Sequence, residues 1–467
     1  MMRLESQSTC DFAERGRDTT SELRVGSEDE FSLCRGAMTV FTAVVPDATR
    51  DRQHFLLLNI GHMLDHLFTL IFATVAALTL SREWGMGYAD LLTYATPGFL
   101  AFGLFSLPMG WAADKWSRDG MMAVFFFGIG FSALATALAQ SPLQIAIGLF
   151  VIGVFAAIYH PVGLAIVVER WKNTGMRLAV NGVWGNFGVA GAALLTGFLI
   201  DLASWRAAFA VPGLFAIAVG FAYTWLRWSE ITAPRPATSK VTGAASSSMT
   251  PDTMALLRRI SVIVFVTTAV SSLIFQSTTF ALPKIFDERL PAIAHSMLTT
   301  LKGMGLLGAR ADIATMIGIF AFVVFTVASL AQLVVGSLLD KHGPRPVFMG
   351  AAAVQLVFFA LMPGATEGWA LAVALGFMLG AFGQIPITDY MIGKMATGEF
   401  RARIYGMRYV VSFTVLALSL PFIGFVYSNW GFDTLFRILA VAALVILCAV
   451  SLLPQRLPTF AAAATKS

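Results

Sequence analysis

Runs of twenty or more mostly apolar residues recur along this chain, and little else in it is long enough to fold independently of them. Each run can cross roughly 30 Å of hydrocarbon as a helix. A helix satisfies its own backbone donors and acceptors, which lipid cannot do. The runs are 53–80, 89–113, 120–140, 142–168, 178–203, 206–227, 260–282, 311–339, 346–363, 369–392, 403–427 and 432–453. They predict an all-α membrane protein of twelve transmembrane helices.

Composition closes off the alternatives. Of 467 residues, 57% are hydrophobic and only 13% charged, whereas soluble chains carry about a quarter charged. Too little polar surface remains to face water, which excludes a soluble enzyme. Cys10, Cys34 and Cys448 fit neither a metal spacing nor a disulfide framework. The net charge of +5 needs no nucleic-acid partner, because the excess cations fall in loops. No nucleotide-binding loop or other cofactor motif appears in a polar segment, so no cofactor and no enzymatic activity are expected.

The polar segments set the organisation. Residues 1–52 lack a long apolar core and read as a solvated cytoplasmic tail, not a secretory signal; Met38 offers an alternative start. The Pro-, Ser- and Thr-rich stretch near Ala233–Met254 reads as a linker. The expected division is a tail (1–52), a six-helix half (53–228), a linker (229–258), a second six-helix half (259–454) and a tail (455–467). With both ends cytoplasmic, inside connections hold Lys115, Arg118, Arg170, Arg177, Arg227, Arg258, Lys341, Arg345 and Arg403, while short outside ones near 140–142, 364–368 and 428–431 hold no Lys or Arg. The external connection Pro283–Arg310 breaks that pattern and is expected to hold a short amphipathic helix.

The halves repeat. GWAADKWSR at Gly110–Arg118 returns as GSLLDKHGPR at Gly336–Arg345, Pro161 in the fourth helix pairs with Pro386 in the tenth, and Arg177 with Arg403, at a near-constant offset. Two six-helix repeats are a transporter architecture, with the pathway where they meet.

Gly110, Asp114, Lys115, Ser117 and Arg118, with the second copy Gly336, Asp340, Lys341, Gly343 and Arg345, resemble the signature of the major facilitator superfamily. The resemblance implies two pseudo-symmetric six-helix bundles around a solute path, with Gly110, Asp114, Lys115, Arg118, Gly336, Asp340, Lys341 and Arg345 at the cytoplasmic gate. Glycine there would let helices approach closely. Asp119 stands where the family keeps a basic residue. Trp205 and Arg206 also resemble the family and read as an interfacial anchor. Gly61-His62-Met63-Leu64-Asp65 with Tyr159-His160-Pro161 is similar to the fosmidomycin-resistance family and related drug-efflux carriers. That likeness implies proton-driven export of a small organic compound.

Ionisable groups inside a span are costly and mark function. His62, Asp65 and His66 fall at i, i+3 and i+4 on one helix, and Asn59 and Thr69 extend the stripe. His160 with Tyr159 in the fourth helix, and Asn181 and Asn186 in the fifth, reach similar depth. Asp65, His62 and His66 are therefore the expected proton-coupling groups, because a carboxyl whose hydration changes during a cycle changes its hold on a proton. Asn59, Tyr159, His160, Asn181, Asn186, Gln276, Gln384 and Arg408 are the expected cavity residues. Gln332 is a further cavity candidate, and Asp389 with Arg408 is a candidate gate pair. Imidazoles and a carboxylate at this spacing also suit a transition metal, with His160 as a further ligand; the leading expectation is that no metal is held. The glycines Gly182, Gly185, Gly188 and Gly191 suggest close packing of the fifth helix.

The expected function is secondary active transport of a small-molecule solute across a bacterial inner membrane, as proton-coupled efflux by a monomer in the lipid bilayer, without nucleic acid. A proton symporter importing a nutrient or organic acid is the alternative within transport, and a non-transporting membrane sensor is the alternative outside it.

Overall fold

The computed structural model describes residues 48–171, 174–233, 251–395 and 398–454. All regular structure among them is helical. The first half contains α1 (Ala48–Val75), α2 (Tyr88–Lys115), α3 (Arg118–Ala137), α4 (Pro142–Ala156), α5 (Thr174–Leu202) and α6 (Trp205–Thr232). The second contains α7 (Pro251–Arg289), a shorter α8 (Pro291–Gly303), α9 (Ile313–His342), α10 (Pro344–Leu361), α11 (Glu367–Met395) and α12 (Gly398–Ser451). Two π-helical turns interrupt the first half, Ala76–Leu80 beyond α1 and Tyr159–Gly163 beyond α4, after which the fourth span continues as Leu164–Arg170.

Eleven helical stretches are long and apolar enough to cross a membrane among the described residues. The last, Val410–Ser451, is broken at Gly431, where φ is 73° and only glycine is comfortable. Its two parts complete the expected twelve. The 28 residues of α2 span about 42 Å, enough for the hydrocarbon layer with tilt. Leu104, Leu107 and Phe221 are largely exposed, as lipid-facing side chains should be. Trp111, Trp116, Trp225 and Trp228 are exposed near one end of the bundle, and Trp369 and Trp430 near the other; such belts mark the two membrane–water boundaries. The chain is a multi-pass membrane protein.

We call the end bearing the two signature loops the motif end and the opposite one the far end. The expected amphipathic helix exists as α8 at the far end, but α7 runs on to Arg289. Pro283, Lys284 and Arg289 are therefore helical and not part of the loop. α5 packs on α9, and α2 on α12, joining the halves. At the far end the Tyr88 and Tyr427 rings meet edge to face at 5.6 Å. A Cβ on Gly424 would stand 3.0 Å from the Ala89 carbonyl oxygen.

Candidate functional site

Three helices of the first half build a buried polar cluster halfway along the bundle. α1 supplies Asn59, His62, Asp65 and His66, as helical spacing requires. The π turn at Tyr159–Gly163 supplies the rest. Pro161 has no N–H to give to the ladder, and the widened turn lets the consecutive residues Tyr159 and His160 both face α1. The Tyr159 ring, wholly buried, stacks on His62 with centroids 4.8 Å apart and an interplanar angle of 15°. His160 meets His62 and His66 edge on, at 5.3 and 5.5 Å.

The hydrogen bonds order these rings. His62 Nδ1 donates to the Asn181 backbone carbonyl at 2.8 Å. With that proton on Nδ1, neutral His62 offers a lone pair on Nε2, which stands 3.2 Å from His66 Nε2. Asn181, from α5, donates its amide to Asn59 Oδ1 at 2.8 Å and to the Tyr159 hydroxyl at 2.9 Å. The Tyr159 O–H in turn donates to the Leu58 carbonyl at 2.8 Å. Asn181 therefore ties α1, the fourth span and α5 together at one point.

Asp65 is wholly buried. His160 Nε2 lies 3.4 Å from its Oδ2, yet neither carboxylate oxygen accepts a well-formed hydrogen bond. A bare carboxylate in such a place is strongly unfavourable. It therefore needs a proton on it or a cation against it. The ring nitrogens of His62, His66 and His160 lie within 4.8 Å of one another, a spacing that could hold a metal ion. The His62 bond to a backbone carbonyl is also of the kind that orients a metal-ligating imidazole.

The model of the Major Facilitator Superfamily matches residues 58–313 and 292–465. The chain belongs to that superfamily. Its relatives include the puromycin resistance protein of Streptomyces alboniger, 31% identical over 135 residues, which is 28% of this chain and 27% of that protein. The chain thus spans about a quarter of that relative's length in the match. A protein of Haemophilus influenzae assigned to metabolite transport is 24% identical over 86% of this chain and 92% of its own. Among solved structures, a D-xylose–proton symporter superposes with a TM-score of 0.61 at 15% identity, over 86% of this chain and 98% of its own. A bacterial homologue of the lysosomal transporter Spinster, inward-facing and occupied, also gives 0.61 at 12% identity, over 85% and 93%.

The superfamily's signature loop is well formed in the first half. Arg118 donates to Asp114 at 3.0 Å and pairs with Glu169 at the end of the fourth span. Ser117 caps α3 by accepting the Gly120 N–H at 3.1 Å. Gly110 lets α2 pass Pro161, whose Cβ would lie 3.2 Å from an added Cβ. The second copy differs. An added Cβ on Gly336 would meet nothing within 4 Å, so close packing does not explain that glycine here. Asp340, Lys341 and Arg345 form no ion pair among the described residues, and Lys115 is exposed. Gly343 ends α9 at φ 77°.

Asp119 acquires a network of its own. Arg227 grips both its oxygens, at 3.0 and 3.1 Å, Tyr223 donates to it at 2.7 Å, and His54 Nε2 lies 3.3 Å away. Arg227 is therefore a buried residue of α6, 2% exposed, and not a loop cation. The only sequence signal for this network was an acid at a family basic position. Trp205 and Arg206 are likewise not an interfacial anchor. Trp205 is buried and donates to Glu83 at 2.8 Å, and Arg206 donates to the Ala139 carbonyl at 3.0 Å.

Other expected residues stand apart from the cluster. Asn186 is half-buried and makes no described hydrogen bond to it. Gln384 accepts from Ser271 and donates to Gln355 within the second half. Gln276, Gln332 and Arg408 are half-buried there too. The side chains of Asp389 and Arg403 lie outside the described residues, as do most of the expected tails and linker. Of the α5 glycines, Gly185 and Gly188 abut α1, where an added Cβ would lie 2.8 Å from the His62 ring and 2.1 Å from the Met63 carbonyl; Gly182 and Gly191 face open space.

Proposed function

We propose that the protein is a secondary active transporter of a bacterial inner membrane that exports a small organic solute in exchange for protons. The motif end faces the cytoplasm, as do both termini. The observation that carries this reading is Asp65, a wholly buried carboxylate without a fixed hydrogen-bond donor, beside three imidazoles. Asp65 Oδ2 and His160 Nε2 exchange the coupling proton across their 3.4 Å contact, and His62, its Nδ1–H committed to the Asn181 carbonyl, accepts a proton from His66 only on Nε2 and returns it by the same atom. Asn181 holds His62 in one tautomer while this happens. Reorientation of the halves changes which side wets the cluster, and so where the proton leaves. The 31% identity with a puromycin resistance protein, over a quarter of that protein, supports the choice of a toxic organic compound as the solute.

Inverted membrane vesicles from cells making the full chain test the reading. A panel of toxic organic compounds, puromycin included, is added under an imposed pH gradient while a pH-sensitive dye reports proton movement. At least one compound should drive proton movement absent from control vesicles. Asp65→Asn should abolish that coupling yet leave solute exchange measurable. Unaltered coupling in Asp65→Asn would remove Asp65 from the role, and no response to any compound would overturn the exporter reading.

A further inference from the structure

The halves touch backbone to backbone at the far end, and one carboxylate fastens that seam. Ala193, Gly197 and Asp201 follow each other at four-residue steps on one side of α5. An added Cβ on Gly197 would stand 2.1 Å from the Ala314 carbonyl oxygen of α9, and one on Gly318 would stand 2.6 Å from the Ala193 carbonyl oxygen of α5. Small residues at these steps permit such an approach. One turn further, Asp201 Oδ2 accepts the Asp312 N–H at 2.7 Å, the Thr315 N–H at 2.8 Å and the Thr315 hydroxyl at 2.6 Å. Those amides open α9. Its own N-cap residue, Asp312, makes no side-chain cap bond. The cap of a second-half helix is thus supplied by the first half.

We infer that Asp201 is a positioning residue of the transport cycle: it latches α9 to α5 and must release it before the far end opens. A carboxylate at a helix N-terminus gains from both the unpaired amides and the helix dipole. The release is reversible because water can replace the protein at both partners. A cavity of about 350 Å³, lined by Arg82, Glu83, Asp201, Asp287 and Asp312 among others, borders the contact and is roomy enough for that water. The neighbouring contacts between halves are longer. Arg82 lies 3.8 Å from Asp287, and Arg310 donates to the Leu202 carbonyl at 3.4 Å. Among these polar contacts between the halves in the described residues, those of Asp201 are the shortest. The inference does not depend on the driving ion or on the direction of transport.

The test uses the full chain in liposomes, with Cys10, Cys34 and Cys448 replaced by serine and spin labels at Leu138→Cys and Trp369→Cys, exposed sites at the far ends of opposite halves. Double electron–electron resonance reads the distance between the labels, and thermal unfolding is followed in parallel. Asp201→Asn should raise the ratio of long to short distances about tenfold, as loss of charge-assisted bonds predicts. Thr315→Val, which removes one donor and keeps the shape, should move it the same way by less. A merely structural cap would lower the unfolding temperature and leave the distances alone. Unchanged distances in Asp201→Asn overturn the inference; should that variant fail to fold, unchanged distances in Thr315→Val do so.

Discussion

The His62 ring is wedged between Tyr159, stacked on one side of it, and Gly185, whose missing side chain leaves room on the other. An added Cβ at 185 would stand 2.8 Å from His62 Cε1 and Nε2. The ring cannot simply swing away, because Asn181 holds its Nδ1 at 2.8 Å. Glycine at this place on α5 is a requirement of the histidine on α1.

That relationship predicts the effect of Gly185→Ala. The methyl must displace His62 and break its alignment with His66. Proton-coupled transport should fall about tenfold or more, since small misplacements of a reacting group are costly. Overpacking should lower stability by roughly 1–3 kcal/mol. Parallel transport and thermal-unfolding assays check this, and full activity in the variant would mean that the His62 position does not matter to coupling.

The Asp119–Arg227 pair should behave as a buried ion pair. Arg227→Met alone strands a carboxylate beneath α6 and should cost roughly 3 kcal/mol. The double variant Asp119→Asn/Arg227→Met should recover most of that loss, because neither charge is left bare. A double-mutant cycle in unfolding experiments measures the coupling. Additive losses would show that the two side chains act independently.

Trp205→Phe separates a buried tie from a membrane anchor. The ring is kept while the Nε1 donor to Glu83 is lost. The expected cost is about 1 kcal/mol, since Glu83 is partly exposed and the bond is screened. Glu83→Gln combined with Trp205→Phe should cost little more than Trp205→Phe alone. Wild-type unfolding in Trp205→Phe would restore the anchor reading.

Much of the site was legible along a single helix. His62, Asp65 and His66 share one side of α1 because 3.6 residues make a turn, and that periodicity needs no partner. Pro161 was legible within the fourth helix, and the structure forms a π turn around it. Asn181 was legible as a polar residue at the right depth, but its backbone carbonyl, the part that orders His62, carries no sequence signal. Asp119 was visibly out of place, yet its partner Arg227 lies 108 residues away and His54 on a different helix again.

The sequence by itself determined that the chain lies in lipid, that it crosses the bilayer about twelve times in two repeated halves, and that an acid and two imidazoles sit side by side within a span. These follow from local chemistry, namely the length of apolar runs, the charge of loops and the pitch of a helix. Only the tertiary structure decided that Tyr159, Asn181 and Gly185 hold His62, that Arg227 and Trp205 are buried, and that Asp201 fastens one half to the other. Such pairings depend on how each helix is rotated and how closely its neighbours approach, and packing settles those quantities between segments far apart in the chain.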